Sequence, residues 1–196
     1  MDKLSIINSN FTQNKEIIDE TVKTNLSDIE KATEMLIEML ENNGKLLSCG
    51  NGGSSGDAQH ISSEFINRFE IERKELPAIS LNSDTAILTS IANDYDYKHI
   101  FAKQINALGN KEDILMAFTT SGNSSNILEA INSAKLKKMR IILISGNEGG
   151  KANSLLSNSD CSIIIPSDRT SRIQEMHLII IHAMCECLDV YAKDKI

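Results

Sequence analysis

Along this chain, stretches in which apolar residues recur every three or four positions alternate with short runs that are apolar throughout. The first periodic stretch covers residues 14–43, with Ile17, Ile18, Val22, Leu26, Ile29, Ala32, Met35, Leu36 and Met39 at helical steps. It predicts a helical extension over residues 1–43, with 24–27 as the point where it would divide in two. Gly44 is placed to end it as a left-handed cap. The extension is longer than one small sheet needs for cover, so its spare apolar face is expected to serve oligomerisation. The continuous apolar runs at 45–49, 76–81, 113–119, 140–145 and 161–166 read as strands, with Pro77 tolerated at the start of the second. Helical patterns at 57–68, 84–92, 95–108, 123–138, 150–158 and 171–192 separate and follow them. Short β-branched strands without polar alternation are buried on both faces, as in parallel sheets. The expected fold is α/β: a three-layer sandwich around a five-stranded parallel sheet, forming one domain over residues 1–196.

Composition narrows the function classes. Hydrophobic residues make up 41% and charged residues 24% of 196, which suits an ordinary globular protein. Aromatics are only 4% and Trp is absent, so the core is aliphatic. A net charge of −7 without a basic run argues against nucleic-acid binding. No apolar span suits a membrane helix, and the N-terminus lacks the apolar stretch of a signal peptide. Cys49 and Cys161 fall in expected strands, and Cys185 and Cys187 point to different faces of a helix. None forms a CxxC pair, so a reduced, cytoplasmic protein is expected.

In open parallel sheets, ligands bind beyond the carboxyl ends of the strands. The first strand runs into Gly50-Asn51-Gly52-Gly53-Ser54-Ser55. The third runs into Thr119-Thr120-Ser121-Gly122-Asn123-Ser124-Ser125 and then a helix. Hydroxyls and free N–H groups at a helix N-terminus can hold a phosphate monoester without a lysine. Neither loop matches GxxxxGK[ST] or GxGxxG. Ser, Thr and Gly also simply cap helices and build turns. That explains one such loop well and two at the ends of one sheet less well.

His60 and Glu64 lie one helical turn apart on one face. Such a pair can bind metal or move protons, although it is more commonly a solvated ion pair. Gln174, His177 and His182 lie on the last helix. Spacing alone does not connect them to His60.

The runs CGNGGSSGDAQH, AFTTSGNSSN and RIQEMHLIIIH resemble the bacterial phosphoheptose isomerases of the sugar isomerase (SIS) family, a flavodoxin-like fold. The resemblance covers nearly all the chain. TSGNS marks the wider family, whereas DAQHISSE together with QEMHLIIIH is far more specific. The resemblance implies conversion of sedoheptulose 7-phosphate to D-glycero-D-manno-heptose 7-phosphate through a cis-enediol. It implies a homotetramer with active sites at subunit interfaces and one zinc ion per subunit. By the same resemblance, Asn51, Gly52 and Gly53 line the sugar site, and Asn93 and Asp94 contact substrate. Thr119, Thr120, Ser121 and Ser124 hold the phosphate. His60, Glu64, Gln174 and His182 bind zinc, with Gln174 also at the substrate. Glu64 is the general base and His182 its acid/base partner. Arg68 matches an arginine near the site. Ser171 stands where some relatives have Asp, so that carboxylate's role does not carry over.

Gln174 and His182 are eight positions apart, roughly 12 Å along a regular helix. That separation points to a site drawing on more than one subunit. The rival reading is a non-enzymatic SIS-fold tetramer. The tract FINRFEIERKELPAISLNSD also resembles the bacterial replication-initiator-associating protein. That relative lacks the residues matching Glu64 and His182, and this chain has both.

Overall fold

The computed structural model describes residues 2–193. Helix α1 spans Lys3–Glu41, followed by β1 Leu46–Gly50, α2 Gly53–Ile66, β2 Ala78–Ser80 and α3 Thr85–Asp94. A 3-10 turn at Tyr97–His99 leads to α4 Ala102–Leu108, β3 Ile114–Thr119, α5 Ser125–Leu136 and β4 Arg140–Gly146. A second 3-10 turn, Asn147–Gly149, leads to α6 Gly150–Ser154, β5 Cys161–Ile165 and α7 Thr170–Lys193.

All strand pairs are parallel, in the order β2-β1-β3-β4-β5. Successive side chains divide between two apolar clusters. Leu46, Met116, Phe118, Ile142 and Ile163 face α1, α2 and α7. Leu47, Cys49, Leu115, Ala117 and Leu143 face α3 to α6. This is the expected three-layer sandwich. The chain steps outward from β1 to β2 and then back across β1 to β3. Their carboxyl ends, Gly50 and Thr119, therefore flank the point where strand order reverses.

Four expectations about elements are corrected. First, α1 begins at Lys3 and runs unbroken for 39 residues, about 58 Å. The polar residues expected to divide it bond locally or outward instead. The Thr24 hydroxyl donates to Glu20 O at 2.9 Å, and buried Asn25 accepts from Ile164 N at 3.2 Å on edge strand β5. Second, Asn43, not Gly44, takes the left-handed conformation after α1 (φ 58°). Gly44 is needed for space, because a Cβ there would lie 2.1 Å from Glu112 O. Third, residues 95–108 split into two pieces. Asp96 is extended and its carboxylate accepts from Lys98 N at 2.8 Å, which starts a new turn. Fourth, α2 starts at Gly53 and stops at Ile66, so Arg68 lies beyond it.

Candidate active site

Two loops meet at the strand reversal. Asn51 leaves β1 and its side chain crosses to Asn126 in the first turn of α5. The amides bond reciprocally, Asn51 Nδ2 to Asn126 Oδ1 at 2.8 Å and Asn126 Nδ2 to Asn51 Oδ1 at 2.7 Å. The Tyr97 hydroxyl also donates to Asn51 Oδ1, at 3.3 Å. Gly52 and Gly53 are exposed at the N-terminus of α2, which no side chain caps. The buried Ser54 hydroxyl in that turn has no hydrogen-bond partner among the described residues.

The second loop is built to leave donors free. Thr119 ends β3 and its hydroxyl accepts from Gly122 N at 3.2 Å, which curls the loop. Ser124 occupies the N-cap of α5, yet its hydroxyl makes no capping bond. Thr120 and Ser121 are half-buried beside it. The loop leans on residues 147–150, which all have positive φ (49°, 61°, 79° and 54°). Gly122 (φ 63°) has no room for a side chain, since a Cβ would lie 1.9 Å from Gly149 O. Ala152 N donates to Gly122 O at 2.9 Å, and Lys151 N to Asn123 Oδ1 at 3.2 Å. The result is a rigid hydroxyl-lined turn at the positive end of a helix, suited to an anion.

The acid–base residues come from α2 and α7, which lie side by side in parallel register. Gly53 abuts Gln174, Asp57 meets His177, and His60 meets His182. His60 Nε2 lies 3.0 Å from His182 Nε2 and 3.1 Å from Glu64 Oε1. One ring nitrogen thus faces both a carboxylate and a second imidazole, and the three can share a proton. Phe69 lies against His182 with ring centroids 5.3 Å apart. All three polar side chains are partly open to solvent.

Gln174 is not part of this cluster. Its amide packs on Gly53 at the start of α2, whereas His60 is roughly 10 Å further along the same helix. Asn93 and Asp94 are exposed at the end of α3, where Asn93 Nδ2 donates to Asp94 Oδ1 at 2.9 Å. Arg68 pairs with Glu72 at 2.8 Å and donates to Glu70 O at 3.2 Å. Ser171 is exposed in the first turn of α7.

The donor types in the His60–Glu64–His182 cluster suit zinc, which takes imidazole and carboxylate ligands. Glu64 and His182 each contact His60 Nε2, and among the described residues no group of three His, Cys, Asp or Glu is spread to hold an ion.

Several supporting residues received no role from the sequence motifs. His177 is fully buried, with Nδ1 3.0 Å from Asp57 Oδ2 and its ring against Phe118. Arg73 and Asp189 form a buried pair at 2.6 Å that anchors the end of α2. Arg73 Nη2 donates to Glu64 O at 2.7 Å, and Nη1 to Phe65 O at 3.1 Å. Burial alone would raise the Asp189 carboxyl. The N–H groups of Glu70 and Ile71 and the Arg73 guanidinium outweigh it and hold the carboxyl below its ordinary value. Burial pushes the Cys49 and Cys185 thiols up to about 12, and Cys187 is exposed.

The sequence matches the SIS domain family over residues 10–146. It is 47% identical to a phosphoheptose isomerase of Aromatoleum aromaticum over 96% of both chains. It is 54% identical to one of Chromohalobacter salexigens over 82% of both. The fold superimposes on the structure of the phosphoheptose isomerase of Neisseria gonorrhoeae with a TM-score of 0.93. That match has 39% identity and covers 96% of this chain and 100% of the other.

Proposed function

Because this chain belongs to the SIS domain family, and within it to the phosphoheptose isomerases, we propose that it interconverts sedoheptulose 7-phosphate and D-glycero-D-manno-heptose 7-phosphate. The observation that carries this reading is the pairing of α2 with α7, which brings His182 to the His60 nitrogen that Glu64 also contacts. A scaffold protein has no need of that cluster, and the initiator-binding alternative is not favoured.

Glu64 takes a proton from C1 of the ketose while an acid protonates the carbonyl oxygen on C2, giving the cis-enediol. The carboxylic acid so formed returns the proton to C2, and the hydroxyl on C1 loses its own to become the aldehyde. A positioned base contributes about 10²–10⁴-fold to such a step. His182 is suited to serve the oxygens, and its contact with His60 gives its proton somewhere to go. Ser121, Ser124, Thr119 and Thr120 hold the phosphate with the N-terminus of α5. Asn51, Gly52, Gly53 and Gln174 line the sugar, with Asn93 and Asp94 at its edge.

Zinc belongs to this reading through the resemblance and the donor types. His60, Glu64 and His182 would hold it, and it would supply a Lewis acid for a sugar oxygen. Gln174 of the same chain packs on Gly53, roughly 10 Å along α2 from His60, and would join the ion only from another subunit. Glu64 bound to a metal is less basic, so its two roles compete.

The protein is proposed to be a homotetramer with shared sites. Within one chain the phosphate loop and Gln174 lie toward the strand ends, while the His60–Glu64–His182 cluster lies further along α2. A cluster from one subunit serving the phosphate loop of another reconciles the two. Leu4, Ile7 and Phe11 form an exposed apolar stripe on α1, with Val22 and Leu26 further along, and this supports subunit contact. No described helix is long and apolar enough to cross a membrane, and the free cysteines suit the reducing cytoplasm. There the product would feed nucleotide-activated heptose for cell-surface polysaccharide. Purified, metal-replete protein is tested for aldose formation from sedoheptulose 7-phosphate, and absence of turnover rejects the reading.

A further inference from the structure

The geometry assigns Asn126 as a positioning residue that fixes which hydrogen-bonding atom Asn51 offers to the sugar. This rests on the isomerase reading and adds a residue that closes the run AFTTSGNSSN but received no role from it. An asparagine amide has two N–H donors and two acceptor lone pairs on oxygen. Asn51 Oδ1 accepts from Asn126 Nδ2 at 2.7 Å and from the Tyr97 hydroxyl at 3.3 Å, so both lone pairs are used. Asn51 Nδ2 spends one hydrogen on Asn126 Oδ1 at 2.8 Å. One N–H remains. Asn51 therefore meets a ligand as a single donor aimed at a sugar oxygen, and offers no acceptor.

Asn126 is well placed to enforce this. It is 2% exposed, so its own amide has no water to exchange with. It lies on the buried stripe of α5 with Ile127, Ala130 and Ala134, where an apolar residue would otherwise sit. Its backbone belongs to the helix turn that follows Ser124, while its side chain holds the loop after β1. The amide pair thus clasps the sugar-side loop to the phosphate-side helix across the strand reversal. Without Asn126, the Asn51 amide can rotate about its last bond and present oxygen where nitrogen is required.

The test is a double-mutant cycle with Asn51→Ala, Asn126→Ala and the pair, read as sedoheptulose 7-phosphate affinity by calorimetry and as the split between kcat and KM. Asn126→Ala is expected to weaken affinity about tenfold in the unmodified protein, the cost of one misplaced hydrogen bond. It is expected to change nothing further once Asn51 is already alanine. The rise should fall on KM rather than kcat. An equal loss from Asn126→Ala in both backgrounds overturns the assignment, because Asn126 would then act by another route. Asn126→Ser keeps a residue favoured at a helix start and repeats the cycle if the alanine variant melts early. Tyr97→Phe frees one lone pair on Asn51 and is expected to cost less than Asn126→Ala; the reverse order overturns the clasp. Because the cycle reads binding, it stands apart from the turnover test. Binding without turnover rejects the isomerase reading alone, and no binding by the unmodified protein overturns both.

Discussion

His60 Nε2 and His182 Nε2 lie 3.0 Å apart although 122 positions separate them in the chain. Glu64, 3.1 Å from the same nitrogen, completes the group. Glu64→Gln keeps the shape and removes the base. Its kcat should fall by about 10²–10⁴-fold with little change in KM. Steady-state kinetics that show near-full activity would remove Glu64 from the proton step.

Zinc binding has its own readout. Metal analysis of the purified protein should find about one zinc per chain, and His60→Ala should lose it while the helical content stays unchanged. Protein that is fully active after chelation, with no zinc detected, would dismiss the metal.

Shared sites predict complementation. Glu64→Gln and Ser124→Ala are each expected to be weak alone. Tetramers reassembled from a mixture of the two should regain turnover, because some sites then combine an intact cluster with an intact phosphate loop. Mixed oligomers that gain nothing would place both halves of a site in one chain.

Gly122→Ala should raise KM at least about tenfold and lower stability by roughly 1–3 kcal/mol. The added methyl meets Gly149 O and the backbone stays at φ 63°, so the turn that holds the phosphate must shift. Thermal melts and substrate titration separate the two effects.

The Arg73–Asp189 pair predicts a pH-dependent stability difference. The folded-state carboxyl of Asp189 is held below its ordinary 3.8. Its contribution is therefore fully present above that value and is lost as pH falls through the lower folded value. Asp189→Asn leaves Arg73 buried without its charge partner, a loss of about 3–5 kcal/mol at neutral pH. In urea unfolding, the gap between the two proteins should hold down to about pH 4 and close below it.

The sheet was legible because its strands are continuously apolar and its helices periodic. Strand-end loops at Asn51 and Thr119 could be read as ligand loops from residue type and position. What the pattern could not carry were pairings made by packing. Asp57 with His177, Arg73 with Asp189 and His60 with His182 join elements over a hundred positions apart, and no local rule links them. Asn126 and His177 did leave a trace, as polar residues on largely apolar helix stripes. Arg68 was misplaced because helical periodicity does not show where α2 stops. The division expected at 24–27 failed because Thr24 and Asn25 direct their side chains to Glu20 and β5.

The parallel seam between α2 and α7 also sets an order of events. Helix α7 is the last described element and its contacts with α2 join residues about 120 positions apart, so they close a large loop. During synthesis the sheet can assemble while α7 is still being made. Until that helix arrives, His60 and Glu64 lack His182 as their partner. The chain can therefore hold a phosphate loop before it holds an acid–base group, and chemistry waits for the final helix.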